Sequence, residues 1–179
     1  EEGKIQVCGL DAIHNHETIL KNVGYIPSEA WFYPEMTVNQ LLQMSADVRK
    51  VDCRAEKEML CEKLEMDVNR KINELSLGNR KKVSIICAMQ HKPKLFIFDE
   101  PTSGLDPVMS ATINRLIMST RRILGVTAVV VTHDMESAFT IADRIAMMYD
   151  EKIIAIGTPD EFRQSTNPVV QQFVAGVKN

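Results

Sequence analysis

Short apolar runs rich in β-branched and aromatic residues recur along the chain, at Ile5 to Val7, Leu95 to Phe98, Thr127 to Val131, Ile145 to Met148 and Ile153 to Ile156. Each is too short for a helix and predicts a strand; runs that are apolar throughout predict strands covered on both faces. Amphipathic patterns lie between several of them. The clearest is Pro107 to Leu124, where Met109, Ile113, Leu116, Ile117, Thr120 and Leu124 follow the 3.6-residue period. Asp106 and Pro107 supply its N-cap and first-turn residue. Strands alternating with helices predict an α/β fold, a mostly parallel sheet packed between helices.

From about Thr37 to Met66 the pattern changes to two helical stretches with no strand between them, the first opened by the capping box Thr37-Val-Asn-Gln40. This reads as an inserted α-helical subdomain. A helical pattern also runs from Arg80 to about His91. Further on, Thr158-Pro-Asp-Glu161 combines a capping box with Pro at the first helical position, and Pro168 opens a last short helix to about Ala175.

Composition narrows the function classes. The 179 residues are 45% hydrophobic and 25% charged, enough apolar material for a full core without metal or disulfide support. Twenty-one Lys and Arg against 24 Asp and Glu leave a net charge of -3, which lacks the basic excess of a nucleic-acid binder. Cys8, Cys53, Cys61 and Cys87 form no C-x-x-C pair and suit reduced thiols. No stretch approaches the ~18 apolar residues of a membrane span.

The chemistry concentrates at strand ends. Leu95-Phe-Ile-Phe-Asp99-Glu100 is a buried-strand pattern from which two carboxylates emerge at the C-terminal end, where open α/β sheets place ligands. One carboxylate there can hold Mg²⁺ directly or through water, and its neighbour can polarise a water that attacks a phosphoryl group. Ser103-Gly104-Leu105-Asp106 follows at once. Thr132-His133-Asp134 comes directly after Thr127 to Val131; if the two strands are neighbours, His133 and Glu100 project from one edge, where an imidazole can bond a phosphoryl group or position the attacking water. Upstream, Leu75-Ser76-Leu77-Gly78-Asn79 leads into a helix, and free amides at a helix start favour an anion.

These four stretches, in this order and at these spacings, resemble the signature motif, Walker B, D-loop and switch histidine of the ATP-binding cassette (ABC) transporter ATPases, over about Gly3 to Gly176. The resemblance implies a P-loop NTPase (RecA-like) fold, with residues 1–34 and 77–179 as core and residues 35–76 as a helical subdomain carrying the signature at its end. It implies that Asp99 supports Mg²⁺, Glu100 is the catalytic base and His133 contacts the γ-phosphate. Leu75, Ser76, Gly78 and Asn79 would contact ATP held by a second ATPase domain, and Ser103, Gly104, Leu105 and Asp106 would form the D-loop between the two sites. A transmembrane permease is the implied partner, with the chain cytoplasmic and peripheral on the inner face of the cell membrane.

The chain also departs from that pattern. It contains no G-x-x-x-x-G-K-[ST], the loop that cradles the β- and γ-phosphates. The expectation is an N-terminally truncated domain, lacking the first strands and the phosphate-binding helix, roughly 40–50 residues. Val23-Gly-Tyr-Ile-Pro27-Ser28 resembles the segment that usually carries the Q-loop glutamine, with Ser28 and then Glu29 in its place; either can reach Mg²⁺ through water. The signature reads Leu-Ser-Leu-Gly-Asn instead of Leu-Ser-Gly-Gly-Gln. Residues up to about Pro107 resemble exporter-type ATPases, whereas Thr132 to Gly176, with Ala142-Asp-Arg-Ile145 and Asn167-Pro-Val-Val170, resembles lipid-trafficking importers, which a hybrid would explain.

Glu29, Trp31, Phe32 and Tyr33 are the expected contacts to the permease, with packing of the three aromatics into the helical subdomain as the alternative. An alternative function is a nucleotide-free interaction domain that donates its signature in trans to a complete ATPase. Glu100 and His133 argue against it, since a donor would need neither. An uncovered sheet edge or face would make the isolated chain self-associate.

Overall fold

The computed structural model describes residues 3–29 and 31–176. The described chain starts with an antiparallel pair, β1 (Gln6–Val7) and β2 (Leu10–Asp11), followed by helix α1 (His16–Asn22) and strand β3 (Val23–Ile26). Helices α2 (Val38–Arg49) and α3 (Arg54–Lys63) come next, and after a 3-10 turn at Ile72–Glu74 comes α4 (Leu77–Met89). Strands and helices then alternate as β4 (Leu95–Asp99), α5 (Pro107–Leu124), β5 (Thr127–Val131) and α6 (Met135–Ile141). Strands β6 (Ile145–Tyr149) and β7 (Lys152–Gly157) and helices α7 (Pro159–Arg163) and α8 (Pro168–Ala175) follow.

The heart of the fold is the parallel sheet β3-β4-β5 with β4 in the middle, in register at Gly24↔Phe96, Phe96↔Ala128 and Asp99↔Val131. Parallel neighbours end at the same edge, so the residues after β4 and after β5 emerge side by side. Strand β3 escapes the sequence pattern because Gly24 interrupts its short apolar run. The glycine has a steric cause: a Cβ there would lie 2.4 Å from the Ala88 carbonyl oxygen and 2.7 Å from the Phe96 ring, so α4 approaches β3 this closely only over glycine.

Phe96, Phe98 and Ile26 are buried in a core that also holds Val83, Ile86 and Met89 of α4, Ile113 and Ile117 of α5, and Leu41 and Leu42 of α2. The expectation of strands covered on both faces is corrected here. In β5 exposure alternates, and Tyr25, Val129 and Val131 remain 53%, 47% and 55% exposed, so among the described residues only one face of the sheet is fully packed. Three runs expected as part of the mostly parallel sheet lie outside it: β1 pairs antiparallel with β2, and β6 and β7 pair with each other as an antiparallel hairpin. Strands β6 and β7 pack on α7 and α8 through a separate small core of Met147, Phe162, Val170 and Val174.

Helix starts follow the capping chemistry. Thr37 and Thr158 form reciprocal capping boxes with Gln40 and Glu161. Asp106 caps α5 by accepting from the amides of Val108 and Met109 at 3.0 Å each, and Gly125 ends that helix in the left-handed conformation. The α4 helix begins three residues before Arg80, because Ser76 caps it by accepting from the Asn79 amide. All four cysteines are free; burial pushes the Cys87 thiol up to about 12, which leaves it protonated and inert.

Candidate functional site

The ends of β4 and β5 carry the chemistry. The Glu100 amide donates to the Val131 carbonyl at 2.8 Å, extending the β4–β5 ladder one residue beyond Asp99. That bond draws Glu100 across the strand end, where its backbone enters the left-handed region at φ 46°. For a residue with a side chain this conformation costs about 1–3 kcal/mol and persists only where the surroundings hold it. Here they do. The carboxylate accepts from the Thr132 hydroxyl at 3.1 Å, from the His133 amide at 3.0 Å and bonds the His133 Nδ1 at 2.8 Å.

Two of those partners share Oε1 and one takes Oε2. A carboxylate offers about four acceptor positions, so one remains on Oε2 for a water or a proton. The hydrogen bond that His133 donates to Glu100, and then the negative charge of that carboxylate, raise the His133 pKa above the ordinary 6.5. The imidazole itself is 79% exposed, leaving its far edge open to a ligand. The shift has a testable sign: the pair stabilises the fold fully below about pH 6.5, and the contribution is lost as pH rises through the elevated value. In an NMR titration His133 is expected to titrate above ordinary imidazole, and Glu100→Ala to return it there.

Asp134 extends the network. It caps α6, accepts from Ser137 Oγ at 2.6 Å and from Thr102 Oγ1 at 3.4 Å, and its amide donates to Thr132 Oγ1 at 3.0 Å. Four hydrogen bonds on its carboxylate hold Asp134 below its ordinary pKa although burial works against them. A chain of bonds thus runs from buried Asn114 of α5 through Ser137, Asp134 and Thr132 to Glu100. A cavity of about 750 Å³ opens beside it, lined by Glu100, His133, Ser103, Leu105, Asn114 and Arg115 among others.

The remaining sequence-predicted residues fall in three places. Ser103, Gly104 and Asp106 are exposed on the turn between β4 and α5, and Leu105 is half-buried there. At the start of α4, Ser76 and Leu77 are exposed and Asn79 is half-buried, while Leu75 and Gly78 are buried; a Cβ on Gly78 would meet the Met109 side chain at 2.8 Å. Beyond β3, Ser28 is half-buried and Glu29 exposed. The aromatic trio divides: Trp31 and Tyr33 are 90% and 63% exposed, whereas Phe32 packs on the core, so packing describes Phe32 alone.

Lys81 is a site residue that sequence reasoning missed. Only 4% exposed, it donates from Nζ to the Glu100 carbonyl at 3.3 Å and to the Ser28 carbonyl. The available signal was its position on the apolar stripe of α4, three residues after Gly78 and four before Ile85.

Among the described residues no three His, Cys, Asp or Glu side chains cluster into a metal cage. The chemistry of the donors fits Mg²⁺ nonetheless: Asp99 and Ser28 offer hard oxygens at neighbouring strand ends, and this ion takes one or two carboxylates and completes its shell with phosphate and water.

A protein-family model described as ABC transporter matches residues 1–103. The chain is 33% identical over 178 residues to the sn-glycerol-3-phosphate import ATP-binding protein UgpC of Vibrio cholerae, covering 96% of this chain and 48% of that protein. It is 29% identical over 180 residues to the glycine betaine/carnitine/choline transport ATP-binding protein OpuCA of Bacillus subtilis, covering 96% and 47%. It is 31% identical over 175 residues to the probable multidrug ABC transporter ATP-binding protein YbhF of Escherichia coli, covering 92% and 29%. The chain thus spans about half the length, or less, of these curated relatives. A solved structure described as the ATP binding subunit of an ABC transporter superposes with a TM-score of 0.78 at 24% identity, over 100% of this chain and 78% of that one, which supports the fold. No described helix is long and apolar enough to cross a membrane.

Proposed function

We propose a function that proceeds from one fact: this chain belongs to the ABC transporter family, whose model matches more than half of it. In this reading it is part of an ATP-hydrolysing subunit that drives transport through a membrane partner. The observation that carries the proposal is the Glu100–His133 pair at 2.8 Å on the common edge of β4 and β5, a geometry that ATP hydrolysis needs and that a pure docking domain does not. Glu100 accepts the proton of the attacking water through the open position on Oε2. His133, held by Glu100, turns its free edge toward the γ-phosphate and offsets charge that develops there. Asp99 and Ser28 would hold Mg²⁺, which would neutralise charge on the β- and γ-phosphates.

No G-x-x-x-x-G-K-[ST] occurs in these 179 residues. We therefore assign catalysis and signature functions to this chain, and the cradle for the triphosphate to sequence outside it. Ser76 and the amides that open α4 face the nucleotide of a second ATPase domain, in trans. Residues 35–76 form the helical subdomain that carries them. Glu29, Trp31 and Tyr33 meet the permease, a role supported by the exposure of both rings. The names of these relatives point to different substrates, sn-glycerol-3-phosphate, glycine betaine, carnitine or choline, and multiple drugs, so the transported molecule is left unassigned.

Ser76→Ala tests the trans contact. Loss of the N-cap costs about 1 kcal/mol of stability in the chain itself. Loss of a bond to a charged phosphate lowers ATP turnover of the assembled protein about 10- to 100-fold. Turnover that falls no further than the fraction of folded protein would remove Ser76 from the ATP site.

A further inference from the structure

Lys81 is the one buried charged side chain among the described residues. Burying an ammonium costs several kcal/mol unless its donors are used and charge of the opposite sign is near. Nζ donates to the carbonyls of Ser28 and Glu100, and burial pushes its pKa down while the negative charges of Asp99, Glu100 and Glu29 oppose that push.

The bond to Glu100 falls on a residue held in the left-handed region. Its amide is tied to Val131, and its carbonyl accepts both from the Ser103 amide at 3.1 Å within the turn and from Lys81 at 3.3 Å across to α4, so both backbone groups of the strained residue are fixed where the carboxylate reaches Thr132 and His133. The same ammonium holds the loop after β3, which leads to exposed Trp31 and Tyr33. One side chain on α4 therefore joins the helix that Ser76 caps, the Ser28–Glu29 loop and the backbone of Glu100.

We propose that Lys81 is a positioning residue that fixes the orientation of the Glu100 carboxylate and makes it depend on the position of the Ser28 carbonyl. This rests on the reading of Glu100 as catalytic base for its meaning, but the juxtaposition is testable without nucleotide. When the ammonium is removed, the Glu100 carbonyl keeps only the Ser103 amide, the Ser28 carbonyl is released and the carboxylate is held less firmly against His133.

The test uses Lys81→Met, which keeps the stem and removes the donors, and Lys81→Gln, which restores a donor. The readout is the His133 titration followed by NMR in the 179-residue chain. Lys81→Met is expected to move His133 down toward ordinary imidazole, and Lys81→Gln to recover part of the wild-type value. Titrations unchanged in both folded variants overturn the proposal. If neither variant folds, the wild-type Lys81 ammonium resonance decides: protection from water exchange supports the clamp, and rapid exchange overturns it. In the assembled protein, Lys81→Met is expected to lower kcat with KM for ATP unchanged. Absence of ATP turnover in the wild-type assembly would overturn the proposed function while the His133 titration still reports on the clamp.

Discussion

Glu100→Gln in the assembled protein is expected to lower ATP turnover about 10²- to 10⁴-fold, the range over which a positioned general base contributes. The substitution keeps the size and planar shape of the side chain, and its oxygen still accepts from Thr132 or from the His133 amide. What it removes is the negative charge and the position on Oε2 that takes a proton. Nucleotide binding is therefore expected to persist, and ATP to remain trapped between the two ATPase domains. Turnover is measured as steady-state phosphate release, binding as retained nucleotide after rapid gel filtration. A loss below tenfold would move the base elsewhere, and Asp99 would be the next residue to test.

Phe96→Ala is expected to destabilise the chain by about 3–5 kcal/mol, the usual cost of deleting a buried phenyl ring. Phe96 is 1% exposed in the central strand, between Gly24 and Ala128 on the neighbouring strands, and its ring lies 5.9 Å from that of Phe98. Small residues on both sides cannot expand into the hole, and Gly24 is itself pinned under the Ala88 carbonyl. The site therefore collapses poorly. Against a typical total of 5–15 kcal/mol this is a large share of the stability. In urea the midpoint is expected to fall by about 1–3 M at an ordinary slope. Val129→Ala, on the half-exposed face, is the comparison: a change within about 1 kcal/mol is expected there. Equal losses at the two positions would contradict the one-sided packing of the sheet.

What could be read from the sequence depended on how local its physical cause was. Helix α5 was legible from Pro107 to Leu124, because Asp106-Pro107 opens it and the apolar stripe has one period; the structure adds Gly125 as its left-handed end. The candidate site was legible where chemistry sits directly at a strand end, as at Asp99-Glu100 and Thr132-His133. Adjacency of β4 and β5 is a tertiary fact, and the structure supplies it. Strand β3 was hidden by Gly24, whose cause is the packing of α4 a long way along the chain. Helix α6 is too short for a periodic pattern, although Asp134 marks its start.

Two further differences have a common origin in burial. A lysine in a helix is ordinarily solvated, so nothing local marks Lys81; only the folded arrangement brings two strand-end carbonyls to its ammonium. An unbroken apolar run predicts burial on both faces, yet Val129 and Val131 are half exposed. Apolar composition records what a strand can bury, and the coverage it finds depends on elements that are distant in sequence.

The account divides the ATP site between a catalytic edge in these residues and a phosphate cradle outside them. Equilibrium binding of Mg-ATP to the purified 179-residue chain carrying Glu100→Gln, beside the assembled protein carrying the same substitution, tests that division most directly. The account predicts saturable binding by the assembly and none by the chain at millimolar nucleotide. Saturable binding by the chain alone would contradict it, and would mean that groups within these residues hold the triphosphate.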